Sequence, residues 1–321
     1  MIPPLRPGET VELRPPAEVL ATLDESGSLA GLPFMPEMMQ YFGRRYTIAK
    51  RVEKICDTIC PISQRRMRDT VFLEDLRCSG AMHGGCEGEC RIYWKTAWLR
   101  RAPATDDAPR PPDPADLAEL ESFVRARIHQ PDANRQRFRC QATEARRATE
   151  PLGTWEPAQY AREIACGNVT VGRFLRVAAQ ATGSAVTAKL RHFLGQSAVR
   201  RPKGNEPQEQ SPPLGLQPGE WVEVKSAEEI LATLDDKLTN RGLFFAPAEM
   251  LPACGKRFRV RRRVTKLVDE STGRMLSIKK DCIALEGFVC TGDRSHRRWF
   301  CAREIFPYWR EAWLRRVTLP D

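Results

Sequence analysis

"RPGETVELRPPAEVLATLDESGSLAGLPFMPEM", from Arg6 to Met38, returns later in the chain as "QPGEWVEVKSAEEILATLDDKLTNRGLFFAPAEM", from Gln217 to Met250. The repetition continues beyond these stretches. "FGRRYTIAKRVEKICD" (Phe42 to Asp57) matches "CGKRFRVRRRVTKLVD" (Cys254 to Asp269), and "VFLEDLRC" (Val71 to Cys78) matches "IALEGFVC" (Ile283 to Cys290). "YWKTAWLRR" (Tyr93 to Arg101) matches "YWREAWLRR" (Tyr308 to Arg316). Two homologous modules are therefore present, at residues 1–102 and 214–321, the second a degenerate copy.

Each module reads as mostly β. A Pro-Gly turn opens an alternating strand, ETVELR or EWVEVK, because period-two alternation places one set of side chains on a buried face. A short helix with acidic residues in its first turn follows, which suits the helix dipole. Further short strands lead to the Trp-x-x-Ala-Trp-Leu-Arg-Arg ending. This pattern predicts a small bent barrel of the SH3-like sort in each copy. Ala102 to Pro114 is Pro-rich and polar, hence a linker. Residues 115–199 carry apolar positions at three- and four-residue spacing in ADLAELESFVRARI, QRFRCQATEARRAT, EPAQYAREIACG and TVGRFLRVAAQATGSAVTAKLRHFLG, so they read as a helical domain. The fold class expected is α+β: two SH3-like β-barrel modules flanking a helical insert.

Composition narrows the function classes. Of 321 residues, 41% are apolar and 29% charged, as in an ordinary globular chain. No apolar run approaches the ~18 residues of a membrane span. The opening MIPPLRPGETVELR has no signal-peptide core, so a cytoplasmic protein with reduced thiols is expected. In that setting eleven clustered cysteines suggest metal or chemistry rather than disulfides. The net charge of +10 suits an acidic partner, nucleic acid included.

The duplication also serves as an internal control. Cys78 aligns with Cys290 and Cys86 with Cys301, whereas Cys56 falls opposite Val268 and Cys90 opposite Ile305. Apolar counterparts suggest that Cys56 and Cys90 point inward. Module one thus carries a candidate thiol set of Cys56, Cys78, Cys86 and Cys90, and module two keeps half of it in Cys290 and Cys301. Buried thiolates need a Lewis acid to offset their charge, which makes a metal centre the expectation. The Gly-rich loop "CSGAMHGGCEGEC" would wrap backbone N–H groups toward the sulfurs. Structural zinc usually shows Cys-x2-Cys knuckles, absent here, and Cys-x7-Cys-x3-Cys with a distant fourth ligand is compatible with an iron–sulfur cluster. Both cofactors stay open. His83 and His296 each lie between the paired cysteines of their module and are further candidate ligands, as are Cys60 and Cys140. The plainer reading makes scattered cysteines core filler, which suits Cys166, Cys254 and Cys282.

No P-loop, dinucleotide fingerprint or nucleophile elbow is present. The alternative function is nucleic-acid binding with structural zinc. In "GKRFRVRRRVTK" Arg257, Arg259, Arg261 and Arg263 share one strand face, and arginine pairs well with phosphate. A one-sided charged strand is also what any half-exposed sheet looks like. A metal-free interaction scaffold is the third reading.

"GLPFMPEM", "KICD", "HGGC…C…YWKTAWLRR" and "CTG…C…IFPYWREAWLRR" resemble a group of bacterial proteins with the same duplicated module, found near specialised-metabolite or polysaccharide biosynthesis genes. The resemblance covers both modules and the "RFRCQATE" stretch. It implies a catalyst or accessory partner in a biosynthetic pathway, meeting a protein partner or a small-molecule substrate, and brings no particular activity with it. By strand pattern the modules are also similar to SH3-like barrels of translation factors and of the nitrile hydratase β-chain.

Overall fold

The structure, a computed structural model, describes residues 4–60, 63–103, 108–128, 137–153, 156–180, 213–294 and 298–318. The chain is mixed α and β with antiparallel sheets. It divides into two compact units. Unit 1 takes residues 1–171 together with 266–276 and 300–303; unit 2 takes 172–265, 277–299 and 304–321. Two short segments of the second sequence repeat therefore belong to the unit built by the first.

Unit 1 holds a five-stranded antiparallel sheet in the order Arg91–Lys95, Thr70–Arg77, Arg45–Arg51, Thr10–Leu13, Leu99–Arg101. A 3-10 turn, Thr96–Trp98, joins its two outermost strands. Unit 2 repeats the order with Tyr308–Trp309, Ile283–Leu285, Arg257–Arg263, Trp221–Val224 and Leu314–Arg316, and with the turn Glu311–Trp313. Even the irregularities correspond: the register shifts between Ile48 and Lys50 in one sheet and between Val260 and Arg262 in the other. A bulge bends a strand and increases its twist, so each copy curls at the same place.

Paired tryptophans fill both cores. Trp98 and Trp313 are fully buried. Trp98 meets Phe34 edge-on with ring centroids 5.0 Å apart, and Trp313 meets Phe245 likewise at 5.3 Å. Each indole N–H reaches a threonine hydroxyl, Thr22 at 3.1 Å and Thr233 at 2.9 Å, so a large apolar body is buried without an orphaned donor.

Part of the expected helical insert behaves otherwise. Pro114–Ile128 is a helix whose Leu120, Val124 and Ile128 recur every fourth residue and enter the unit 1 core. Ala158–Ala165 is helical, as are residues 171–180. The stretch QRFRCQATEARRAT is not helical where described: residues 141–148 form turns and Thr149–Leu152 is a strand, paired with Gln64–Met67 in a three-stranded sheet with Lys54–Cys56. Side chains there bond to backbone groups both within the segment and far from it in sequence. Thr143 Oγ1 accepts the Cys140 N–H at 2.9 Å. Gln141 accepts the Tyr93 N–H at 2.8 Å and donates to the Tyr93 and Pro33 carbonyls at 2.9 and 3.1 Å. The Thr143 bond is local and competes with helix formation, while the Gln141 bonds tie the segment to Tyr93 and Pro33. The rest of the expected 115–199 domain, from residue 181 on, lies outside the described residues.

Candidate metal centre

The glycine-rich loop opens and closes on one backbone bond, Cys78 N–H to Cys90 C=O at 2.8 Å. Between these ends Gly80 takes a left-handed conformation (φ +73°), and a side chain there would begin 1.8 Å from the Cys86 carbonyl oxygen. The close approach lets the Gly80 carbonyl accept from the His83 and Gly85 N–H groups at 2.9 and 3.0 Å. A 3-10 turn, Ala81–His83, results, and it carries the His83 ring into a buried position.

His83 Nδ1 comes to rest 3.7 Å from Cys78 Sγ. The third group is Glu37, from the 3-10 segment Pro36–Tyr41, whose Oε2 accepts the Ser79 N–H at 3.2 Å and the Ser79 hydroxyl at 3.3 Å. Ligand atoms of Glu37, Cys78 and His83 all lie within 4.8 Å of one another, the one such group of three among the described residues. With metal–sulfur and metal–nitrogen bonds of about 2.3 and 2.0 Å, a tetrahedral zinc separates sulfur from nitrogen by about 3.6 Å. The observed spacing matches that separation. Burial pushes the Cys78 thiol far up from its ordinary pKa, and the Glu37 carboxylate beside it pushes the same way. A bound cation reverses that logic, because it supplies the positive charge that a buried thiolate lacks.

Of the expected set of Cys56, Cys78, Cys86 and Cys90, only Cys78 belongs to that group of three, and Cys90 is also among its neighbours. Cys78 joins Glu37 and His83. Cys86 and Cys90 flank Gly88, their sulfurs 3.6 and 3.7 Å from where a side chain on it would begin. Burial foremost pushes the Cys90 thiol up to about 12, with Cys140 and Cys86 among the neighbours that add to the rise. The Cys140 thiol is raised to about 11, again by burial, with Cys86 close by. Cys56 pairs with Cys301, whose Sγ accepts the Cys56 N–H at 3.1 Å. A hydrogen bond from the Cys56 side chain, foremost, lowers the Cys301 thiol to about 6. Cys60 stands exposed in a turn capped by Asp57.

These contacts fall in the alignment's own pairs. As the Cys56 N–H points to Cys301 Sγ, so the N–H of its counterpart Val268 points to Cys86 Sγ at 3.4 Å. The Glu87 N–H donates to the Lys266 carbonyl at 2.9 Å, and the Ala302 N–H to the Lys54 carbonyl at 3.3 Å. Within unit 2, the Cys290 N–H meets the Ile305 carbonyl at 2.8 Å, as Cys78 meets Cys90. Glu249 there accepts from the Thr291 N–H and hydroxyl, both at 3.3 Å, as Glu37 does from Ser79. His296 lies outside the described residues. Sequence reasoning passed over Glu37; its signal was a glutamate ahead of methionine in both FMPEM and APAEM.

The four arginines of Arg257–Arg263 do not form one uniform face. Arg257 lies 3.6 Å from Glu223, and Arg263 is bonded to the buried Glu311. Arg259 and Arg261 are exposed, over the Trp221 and Phe306 rings at 5.7 and 5.2 Å.

A buried acid–base pair adjoins the thiols. Lys54 is 1% exposed; its ammonium donates to Gln159 Oε1 at 2.9 Å and lies 4.3 Å above the Tyr160 ring. Burial lowers Lys54 to about 8 against the pull of Glu163, and burial raises Glu163 to about 7. A carboxyl group with a raised folded-state pKa makes the folded chain bind more protons, so its contribution is complete below about pH 4.5 and is lost as pH rises through about 7. Glu163→Gln keeps the Asn168 contact without titrating. Its stability relative to the parent chain should therefore improve steadily from about pH 4.5 to about pH 7. Denaturant titrations at several pH values read this directly, and a constant difference would show that Glu163 does not titrate in that window.

Comparisons with protein-family models, with curated proteins and with solved structures find no match. Among the described residues no helix is long and apolar enough to cross a membrane.

Proposed function

We propose that this chain is a metalloprotein in which Glu37, Cys78 and His83 hold one zinc ion. The observation that carries the reading is the 3.7 Å between His83 Nδ1 and Cys78 Sγ, with a carboxylate oxygen in reach of both. Three protein ligands leave a fourth position for water or substrate, and zinc in such a site acts as a Lewis acid and lowers the pKa of bound water. Glu37 and Cys78 are half-buried rather than sealed, which suits an open position. In this reading each five-stranded sheet is an SH3-like barrel. The support is the shared order, with the first strand between the second and the last, and the 3-10 turn before the last strand. The barrel of unit 1 then serves as the frame that presents the loop. A cytoplasmic catalyst or accessory protein of a biosynthetic pathway is the role this supports best. Nucleic-acid binding is the weaker reading, since Arg257 and Arg263 already answer Glu223 and Glu311.

Metal analysis of the purified full-length chain tests the proposal. About one zinc per chain is expected, lost in Cys78→Ser and in His83→Gln, because either change removes one of three protein ligands. Arg259→Glu with Arg261→Glu should leave it in place. Undiminished zinc in Cys78→Ser refutes the assignment.

A further inference from the structure

Within unit 1 the segment Phe300–Arg303 of the second repeat lies along Lys54–Cys56 of the first. The Ala302 N–H donates to the Lys54 carbonyl at 3.3 Å, and the Arg303 guanidinium to the Cys56 carbonyl at 3.4 Å. Between these bonds the Cys56 N–H points at Cys301 Sγ, 3.1 Å away. The Cys56 thiol donates to the same sulfur. Two cysteines 245 residues apart in the chain therefore meet, with 7% and 4% of their surfaces exposed.

The two sulfurs are not equivalent. Cys301 accepts from both the N–H and the thiol of Cys56, and bonds of that kind favour an anionic sulfur. The buried Arg303 guanidinium, held by Glu270, adds positive charge two residues further on. Cys301 is thus the better nucleophile of the pair, since the thiolate is the form that attacks an oxidant. Cys56, the donor, stands next to it as the second thiol. The other repeat supplies a comparison. There the Val268 N–H points at Cys86 Sγ at 3.4 Å, but Val268 has no sulfur to offer. Of these two matching places, one alone has a thiol on each side. Burial of both sulfurs restricts the oxidant to a small molecule.

We propose that Cys56 and Cys301 are a site of thiol oxidation, which hydrogen peroxide converts to a disulfide that fastens Phe300–Arg303 to Lys54–Cys56. The Cys301 thiolate attacks one peroxide oxygen and the O–O bond breaks. The departing hydroxide takes up the proton that Cys301 had released and leaves as water. Cys301 is then a sulfenic acid. The Cys56 sulfur attacks it, and the hydroxyl leaves with the Cys56 proton as a second water. Two thiols and one peroxide become one disulfide and two waters; the sulfurs lose two electrons and the peroxide gains them. A small thiol reductant reverses the bond by exchange.

The test treats the reduced full-length chain, freed of reductant, with stoichiometric hydrogen peroxide. Remaining thiols are alkylated in denaturant, and the unreduced digest is mapped by mass spectrometry. A peptide joining Cys56 to Cys301 should be the main cross-link, and reductant should release it. Cys301→Ser should abolish the cross-link and leave Cys56 free to be alkylated. Cys56→Val installs the residue that the other repeat carries at this place. In that variant the oxygen should stay on Cys301, where dimedone captures it. The exposed Cys60 shows that oxidant has reached the protein. The proposal is overturned if Cys56 and Cys301 both remain free while Cys60 is oxidised. It is overturned equally if either one is linked chiefly to another cysteine, or if Cys301 carries no oxygen in Cys56→Val. The pair shares no residue with Glu37, Cys78 and His83, so the zinc assignment is decided separately.

Discussion

Gly80→Ala should abolish zinc binding at the proposed centre and destabilise unit 1 by roughly 2–6 kcal/mol, the sum of left-handed strain and overpacking against a fixed carbonyl. The new methyl would begin 1.8 Å from the Cys86 oxygen and 2.7 Å from its carbonyl carbon, so the backbone itself must move. When it moves, the His83 and Gly85 N–H groups lose the carbonyl that sets the Ala81–His83 turn. The ring then leaves the neighbourhood of Cys78. Gly85→Ala supplies the contrast. Its φ is also left-handed, at +79°, yet nothing lies within 4 Å of the added carbon. That change should cost about 1 kcal/mol and leave the zinc bound. Thermal melts and metal content of the two variants separate contact from conformation. Equal effects in both would mean that the loop is not built around the Gly80–Cys86 approach.

Trp98→Ala should be comparably severe, at about 3–5 kcal/mol, because it empties the space of one of the two fully buried tryptophans of the unit 1 core. It also leaves the Thr22 hydroxyl, which itself donates to the Val19 carbonyl, without its indole partner. Trp98→Phe should recover much of the loss, since the edge-on contact with Phe34 depends on an aromatic ring. Trp313→Ala should do the same to unit 2, where Phe245 and Thr233 stand in the matching places. Denaturant unfolding followed by tryptophan fluorescence would show the loss; a change below about 1 kcal/mol would mean that the cavity is filled by repacking.

The two sheets were legible because the repeated segments carry their own strand alternation and the Trp-x-x-Ala-Trp ending marks the 3-10 turn twice. Cys78 and His83 were legible from the loop composition. Glu37 was not, since a glutamate in a short helical turn looks like an ordinary surface residue until the fold brings it to Ser79. The helix expected around Cys140 failed for a related reason: three-and-four spacing cannot reveal that Gln141 bridges to Tyr93 and Pro33. The meetings of Cys56 with Cys301 and of Cys86 with Val268 also escaped sequence reasoning. They arise because Lys266–Leu276 and Phe300–Arg303 belong to unit 1, and no local pattern announces that. The arginine strand alternates as expected, with Arg257, Arg259 and Arg261 exposed, but carboxylates already face Arg257 and Arg263.

Those two late segments set a clock. Val268 lies 182 residues beyond Cys86, and Cys301 lies 245 residues beyond Cys56. Contacts of such span are slow to form, because the intervening chain must be closed before they yield anything. At about 5–20 residues per second on the ribosome, Cys56 emerges roughly 12–50 s before Cys301 is made. During that interval the Cys56 amide and the open edge around Lys54 have no partners, and the thiols of the glycine-rich loop are reachable by oxidants. Unit 1 is therefore a product of the completed chain. A nascent protein halted before Phe300 would carry the strands of the first five-stranded sheet and most of the cysteines of unit 1, and would still lack the Cys301 sulfur that meets Cys56.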